Sequence, residues 1–277
     1  MSSLLEEARL RLPHATDEEL VVAIATELVD LLDLEPPVEP GMIASYQGIH
    51  RIERSPLGWA GCLLTDKDQL VIRVRSTDSP GRQRFTILHE VAHTFLPGYR
   101  HATQYRCTPM STRGRREPNE VLCDIVASEL LMPARYVRSA ITQASFDLDA
   151  VSDLALDCDA SLEAAARRFI TLWPEPSLLI RMELTTKPRD PAGEPKLRVT
   201  STLTNGTWPY MPVHKSIGKD HVLNQCLDGI SVDGFADLDD LTRQPVGPVE
   251  LHARHYPFVD SEGAHRERVL VIARHTH

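Results

Sequence analysis

Hydrophobic residues recur at helical spacing in three stretches of the N-terminal half. The first, Asp17 to Leu34 (DEELVVAIATELVDLLDL), begins with acidic residues, which the helix dipole favours in a first turn. The second carries TILHEVAHTFL and stops before Pro97, and the third, NEVLCDIVASELLM, ends at Pro133, because proline continues a helix poorly. The apolar stripe of the third stretch is formed by Val121, Leu122, Ile125, Val126, Leu130 and Leu131. The pattern predicts three helices with buried faces.

Two other regions carry the short apolar runs and turn residues that are typical of β-strands. Between the first two helices, GIHRIERSPLGWAGCLLTDKDQLVIRVR has turn signals at SPLG and TDKD and predicts a small antiparallel sheet. Towards the C-terminus, SLLIRMELTT, KLRVTSTL and ERVLVIARH are strand-like and are separated by segments rich in proline, glycine and aspartate. The chain is therefore expected to be an α+β protein with a β-rich C-terminal part.

Residues 148–172 form a helix-turn-helix outline between these two parts. The segment predicts two short helices around the turn CDAS, with Ser161 as the N-cap of the second. The composition changes beyond WPEP, which places a boundary near Pro174 to Pro176. Three domains are predicted, covering residues 1–133, 134–173 and 174–277.

The segment YRHATQYRCTPMSTRGRREP has no sustained period, so it is predicted to be an exposed loop. Its arginines either are solvated or steer an acidic substrate or a nucleic acid toward the metal; they are Arg100, Arg106, Arg113, Arg115 and Arg116. Cys107 is either an ordinary loop cysteine or an additional zinc ligand.

Composition sets the class and the expected compartment. A chain of 277 residues with 42% hydrophobic and 25% charged residues has globular values, and no apolar run approaches the roughly 20 residues of a membrane span. The N-terminus has neither a basic segment nor an apolar one, so a soluble, cytoplasmic protein is expected. The odd number of scattered cysteines argues against disulfides and against a cysteine zinc site: Cys62, Cys107, Cys123, Cys158 and Cys226.

Charge argues against direct DNA binding. The formal net charge is −9, and attraction to phosphates needs lysine and arginine. Around the second helix of the helix-turn-helix outline the acids are Asp157, Asp159 and Glu163, against Arg167 and Arg168. Packing or binding of a protein partner is therefore favoured for this segment.

The pentapeptide HEVAH carries the main chemical signal. On a helix, residues four apart share a face, so His89 and His93 can direct a ring nitrogen at one ion, with Glu90 beside them. A zinc ion held there polarises the scissile carbonyl and acidifies water, and a carboxylate outside the ligand set accepts the proton. Glu90 is the candidate for that general base. The alternative is an accidental match on an amphipathic helix.

A third ligand is expected on a separate element, because a catalytic zinc usually has three protein ligands and one open position. Glu120 begins the third helix, and Asp124 lies one turn later on the same face. Glu120 is the candidate ligand, and Asp124 is suited to orient a metal-bound histidine. Each acid taken alone is also explained as a dipole-stabilised or surface acid.

These motifs together resemble the ImmA/IrrE family of metallopeptidases. RFTILHEVAH followed by NEVLCDIVASELLMP is similar to the family pattern RFTLAHE-x-x-H, then a glutamate, an asparagine or aspartate four residues later, and LLMP. By that resemblance His89, His93 and Glu120 correspond to the zinc ligands and Glu90 to the catalytic glutamate. Ile-Leu before His89 and Asp124 in place of asparagine depart from the commonest pattern.

The resemblance implies a fold and a substrate class. It implies a zincin-like metallopeptidase domain, a helix-turn-helix-like segment that includes LALDCDASLEAAARRFITL, and a C-terminal GAF-like domain that senses an unknown signal ligand. Family members cleave helix-turn-helix transcriptional repressors in stress responses or mobile-element induction. A zincin cleft typically takes its peptide as an added strand, and the strands between Gly48 and Arg75 are the candidate edge.

The expected function is therefore zinc-dependent endopeptidase cleavage of an XRE-type helix-turn-helix repressor, which induces a stress or DNA-damage response. Zn²⁺ is the expected metal, and Mn²⁺ is the alternative that a histidine and carboxylate site also permits. The competing hypothesis is a non-proteolytic transcription regulator with helix-turn-helix and sensor domains. An intact HEVAH disfavours it, because a domain that only binds a partner does not need the base Glu90.

Overall fold

The computed structural model describes residues 2–99, 117–259 and 263–275, together with the backbone of residues 104–106. It divides into two compact units, Met1–Val137 with Leu154–Ser161, and Arg138–Asp153 with Leu162–His277. No helix within the described ranges is long and apolar enough to cross a membrane. The proposed roles of Cys107 and the loop arginines concern side chains outside the described residues. The three predicted domain ranges stay a prediction.

The first unit combines helices with one sheet. In chain order its elements are α1 (Leu4–Arg11), α2 (Asp17–Leu31), α3 (Pro40–Tyr46), β1 (Ile49–Ser55), β2 (Gly61–Asp66), β3 (Gln69–Arg75), α4 (Pro80–Ala92), β4 (Gln104–Arg106) and α5 (Pro118–Leu131). The first predicted helix is confirmed as α2, which is capped by a reciprocal Thr16 and Glu19 capping box. It ends at Leu31, because Asp33 has a positive φ of 48°.

The sheet of this unit has the strand order β1-β3-β2-β4. β2 and β3 form the hairpin that TDKD predicts, with Lys67 and Asp68 at positive φ in its two-residue turn. β1 pairs with β3 in parallel, so the prediction of a wholly antiparallel sheet is wrong for this pair. The reason is that β3 lies between β1 and β2, and SPLG connects two strands that do not pair with each other.

The fourth strand lies within the segment predicted as a loop. β4 pairs antiparallel with β2, in the register Cys62 with Arg106 and Leu64 with Gln104. The loop prediction is therefore wrong for residues 104–106. Strand pairing with β2 is a non-local interaction, and hydrophobic periodicity within the segment does not reveal it.

The helices of the first unit share an apolar core beside the sheet. α5 packs against both α4 and α2. Phe95, Leu88 and Leu130 are fully buried in this core. Each such side chain contributes about 1.5–3 kcal/mol through burial. The two helices that carry the chemical motifs are thus fixed against each other.

Three further helices follow: α6 (Ala134–Gln143), α7 (Leu148–Asp157) and α8 (Leu162–Leu172). The buried Glu129 of α5 accepts a hydrogen bond of 2.8 Å from the backbone N–H of Ala134, which satisfies one free donor at the start of α6. The two short helices predicted for residues 148–172 are confirmed as α7 and α8, and Ser161 directly precedes α8. Their interpretation as a helix-turn-helix stays a prediction.

The second unit contains a five-stranded antiparallel sheet in the order β6-β5-β11-β8-β7. Its strands are β5 (Ser177–Thr185), β6 (Lys196–Asn205), β7 (Val232–Asp237), β8 (Pro248–His255), the short β9 (Phe258–Val259) and β10 (His265–Arg266), which pair separately, and β11 (Arg268–Arg274). The predicted strands SLLIRMELTT, KLRVTSTL and ERVLVIARH are confirmed as β5, β6 and β11. β7 lies in SVDGFADLDD, which is predicted to separate strands, so that prediction is wrong for residues 232–237, where pairing with β8 forms a strand. β11 is central and almost entirely buried, as its continuous apolar run suggests. The GAF-like assignment of this sheet stays a prediction.

Candidate metal centre

Three polar side chains are buried at the end of α4. His89 and Glu90 are 0% exposed and His93 is 1% exposed. α4 itself ends at Ala92, and His93 begins a single 3₁₀ turn that runs to Phe95. The two imidazole rings meet edge to face, with centroids 5.3 Å apart. Helical spacing thus brings both histidines to one face, as the sequence predicts.

Glu120, in the first turn of α5, faces both rings. Its Oε2 lies 3.3 Å from Nε2 of His89, and its Oε1 lies 3.6 Å from Nε2 of His93. The contact between α4 and α5 therefore brings two imidazole nitrogens and one carboxylate to a single point. These are the three residues that the sequence analysis selects as metal ligands.

Asp124 lies one turn after Glu120 and contacts the other side of the His89 ring. Its Oδ1 is 2.9 Å from Nδ1 of His89. An ionised carboxylate only accepts hydrogen bonds, so Nδ1 carries the proton and Nε2 keeps its lone pair towards Glu120. The orienting contact expected for Asp124 is present in the structure.

Cys123 is a neighbour of the site that the sequence analysis does not select. Its sulfur lies 3.5 Å from Nδ1 of His93, and the side chain is fully buried. His89, His93 and Cys123 place one candidate ligand atom each within 4.8 Å of one another. The position of Cys123 three residues after Glu120, on the same helical face, is the sequence signal that indicates it.

Comparison with known proteins identifies the domain that contains these residues. Residues 44–169 match the model of the IrrE N-terminal-like domain. The domain belongs to the ImmA/IrrE family of metallopeptidases. This confirms the family resemblance expected from HEVAH and NEVLCDIVASELLMP.

Two curated ImmA/IrrE relatives are similar to the chain, both described as the radiation response metalloprotease IrrE. The protein of Deinococcus radiodurans is 24% identical over 188 residues, covering 66% of this chain and 57% of the relative. The protein of Deinococcus deserti is 31% identical over 100 residues, covering 36% of each chain. The chain thus matches between about a third and somewhat over half of these relatives' lengths.

A solved structure shows the wider fold. A transcriptional regulator of Mycobacterium tuberculosis superposes with a TM-score of 0.58 at 13% identity, covering 98% of this chain and 80% of the other. At this identity the likeness concerns the fold alone. It covers both units, whereas the match to the ImmA/IrrE domain ends at residue 169.

Electrostatics within the ImmA/IrrE domain suit a cation. Burial and the nearby His89 lower the pKa of His93 to about 4, so this imidazole is neutral at pH 7. Burial raises the pKa of Glu120, but the favourable interactions of its carboxylate with His89 and His93 outweigh burial, so the net shift is downward. His93 therefore offers a neutral nitrogen and Glu120 an anionic oxygen, which are the protonation states that a metal requires.

Glu90 has the most strongly desolvated carboxylate of the centre. Burial raises the pKa of Glu90 to about 8, with His89 and the backbone N–H of Leu63 acting in the opposite direction. Its Oε2 is 3.9 Å from Nε2 of His93, and no side chain of the described residues donates a hydrogen bond to either oxygen. A carboxyl group in this setting is suited to accept and release a proton near neutral pH.

Proposed function

We propose that this protein is a zinc-dependent endopeptidase in which His89, His93 and Glu120 hold the metal and Glu90 is the general base. The observation that carries the proposal is the convergence of two Nε2 atoms on the two oxygens of Glu120, at 3.3 and 3.6 Å. Glu90 lies beside them and outside this ligand set.

The distances between these donor atoms fit a tetrahedral ion. Zinc binds imidazole nitrogen and carboxylate oxygen at about 2.0–2.2 Å, so neighbouring donor atoms of a tetrahedral site are roughly 3.3–3.5 Å apart. The observed separations of 3.3 and 3.6 Å, each measured to a different oxygen of Glu120, are close to this value. Oε2 of Glu120 also has no hydrogen bond from a described residue, which leaves it available to a cation. Mn²⁺ is the alternative metal for such a donor set.

Each residue then has one task. The carboxylate of Asp124 holds His89 in the tautomer that directs Nε2 to the centre. Zinc supplies Lewis acidity towards water and towards the scissile carbonyl. Glu90 accepts the proton of the attacking water and can deliver it to the departing amine. His89, Glu90 and His93 are buried, which limits their contact with bulk water.

The sheet supplies an edge for the peptide. A Cβ atom at Gly61, the first residue of β2, would lie 3.3 Å from Oε1 of Glu90, so β2 passes directly beside the proposed base. The outer side of β2 is paired with β4 at Cys62 to Leu64. Among the described strands β4 is therefore the outermost on this side, and the proposed substrate strand adds to the sheet along β4.

The proposed substrate is an XRE-type helix-turn-helix repressor, whose cleavage induces a stress or DNA-damage response in the cytoplasm. Membership of the ImmA/IrrE family and the description of the two relatives as radiation response metalloproteases support this class. The second unit is proposed to be the GAF-like sensor of an unknown signal ligand. Glu163 at the start of α8 forms ion pairs with Arg181 and Arg268, which supports a packing role for α8 over DNA contact.

Co-expression with candidate repressors from the same genome tests the proposal. The wild-type chain should produce repressor fragments, and Glu90→Gln should reduce cleavage by about 10²–10⁴-fold, because it keeps the metal and removes the base. Glu129→Gln is the matched control, since Glu129 is equally buried on α5 but caps α6. Equal cleavage by wild type and Glu90→Gln would contradict the mechanism.

The second candidate is a transcription regulator that binds a partner without cutting it. This candidate is supported by the likeness, over 98% of the chain, to a structure described as a transcriptional regulator. An intact repressor that co-purifies with zinc-loaded wild-type protein and is released from its operator would support this candidate. Fragments that depend on Glu90 would exclude it as the sole function.

A further inference from the structure

The two proposed metal-binding histidines are each contacted on the ring nitrogen that faces away from the centre. Nδ1 of His89 lies 2.9 Å from Oδ1 of Asp124, and Nδ1 of His93 lies 3.5 Å from Sγ of Cys123. The two contacting residues are consecutive on α5. Together with Glu120 they occupy positions i, i+3 and i+4, so one face of α5 contacts both ring nitrogens of His89 and of His93.

A neutral imidazole that binds a cation through Nε2 carries its proton on Nδ1. That N–H needs an acceptor when it is buried, because an unsatisfied buried donor costs about 1–3 kcal/mol. Cys123 is fully buried, and its sulfur is within hydrogen-bonding distance of His93 Nδ1. A thiol sulfur is a weak acceptor, and the fold places this one 3.5 Å from Nδ1 of His93.

We propose that Cys123 is a positioning residue, whose sulfur accepts a hydrogen bond from Nδ1–H of His93 and so directs Nε2 of His93 towards the metal. This role rests on the proposed function, since it assumes a cation at His89, His93 and Glu120. It is the counterpart of the contact from Asp124 to His89, made with a much weaker acceptor.

Geometry argues against the competing role of Cys123 as a ligand. The sulfur contacts His93 on its Nδ1 side, whereas Glu120 contacts the same ring on its Nε2 side. One ring cannot direct both nitrogens at a single ion. A site of His89, His93 and Cys123 would therefore need His93 to turn away from Glu120.

Zinc affinity of the full chain, measured by competition with a chromophoric chelator, tests this role. Cys123→Ala is expected to bind zinc about 10-fold more weakly than wild type, which is the usual effect of losing a partner that orients a ligand. Cys123→Ser should recover part of the affinity, because a hydroxyl oxygen also accepts the hydrogen bond. Cys158→Ala, which removes another fully buried sulfur of the same unit, should match wild type.

Two outcomes separate the role of Cys123 from the existence of the metal centre. Equal zinc affinity of Cys123→Ala and wild type would overturn the positioning role while leaving the metal centre intact. Zinc affinity that is unchanged by His89→Ala would overturn the proposed centre, and the role of Cys123 with it.

Cobalt spectroscopy and NMR keep the test independent of how well the alanine variant folds. In the cobalt-loaded wild type, absence of a sulfur-to-cobalt charge-transfer band supports positioning, whereas a band that disappears in Cys123→Ser would show a ligand and overturn it. Imidazole nitrogen shifts should place the His93 proton on Nδ1 in the wild type; a proton on Nε2 would also overturn the proposal.

Discussion

Gly61 lies in a crowded position between the sheet and the motif helix. A Cβ atom there would approach Cγ2 of Thr86 to 2.5 Å, the backbone oxygen of Arg73 to 3.1 Å and Oε1 of Glu90 to 3.3 Å. Thr86 is buried and β-branched, so it has little freedom to move aside. Glycine at this position lets β2 approach the proposed base closely.

Gly61→Ala is therefore expected to lower the free energy of unfolding by about 1–3 kcal/mol and to reduce peptide hydrolysis by displacing Glu90. Gly58→Ala is the control, because a Cβ atom at Gly58 would meet no atom within 4 Å. Chemical denaturation and a peptide cleavage assay give the two readouts. If both variants behave like wild type, the close approach of β2 to Glu90 is incorrect.

Residue types and spacing were sufficient to predict which side chains gather at the centre. His89, Glu90, His93, Glu120 and Asp124 were selected from helical periodicity and from the ligand number of zinc, and the structure brings them together. Helical spacing places Cys123 on the face of Glu120, but a cysteine inside an apolar stripe also has the pattern of an ordinary core residue, so its contact with His93 is not predicted. Only the angle at which α5 crosses α4 shows which ring its sulfur meets.

At the level of elements, local sequence patterns predict the long helices and the buried strands better than they predict which strands pair with each other. β5, β6 and β11 were predicted because their apolar runs are continuous, whereas the parallel pairing of β1 with β3 depends on which edge the chain reaches. α1 and α3 have 8 and 7 residues, and a pattern so short gives little periodicity to detect. The sequence pattern thus misses non-local pairing, helices of two turns, and β7, which lies in a segment rich in glycine and aspartate.

The ladder between β8 and β11 carries a pH-dependent contact. Glu250 pairs with Arg274 across the two strands, and its carboxylate accepts a 2.8 Å hydrogen bond from Nε of Arg274. Burial raises the pKa of Glu250, but the hydrogen bonds from Arg274 and His252 outweigh it and hold the pKa below its ordinary value. A lowered folded-state pKa means stability that is present at neutral pH and is lost as the pH falls through that pKa.

Glu250→Gln should therefore be less stable than wild type at pH 7 and should lose less stability on acidification to about pH 3.5. Urea denaturation at both pH values measures the difference. Asp228→Asn, a change of an exposed acid in the same unit, controls for the loss of one charge. Parallel pH profiles for wild type and Glu250→Gln would show that this ladder contact does not contribute to acid sensitivity.

For the whole molecule, the proposed metal couples binding to stability. Zinc at about 100 times its dissociation constant should stabilise the folded chain by about 2.7 kcal/mol, provided that the unfolded chain does not bind it. This corresponds to a rise in thermal midpoint of roughly 5–10 °C for a unit of this size, reversed by a chelator. His89→Ala should show no rise. An equal rise in both proteins would place the zinc elsewhere.

Every side chain assigned to the centre comes from α4, the turn that follows it, and α5. These residues fall in two windows, 89–93 and 120–124, each five residues long. An insertion inside either window rotates the residues on its two sides by about 100° relative to each other. Natural or laboratory variants of this gene can therefore be classified by whether they change any of these ten codons. A single codon inserted within either window is expected to remove the centre as a whole.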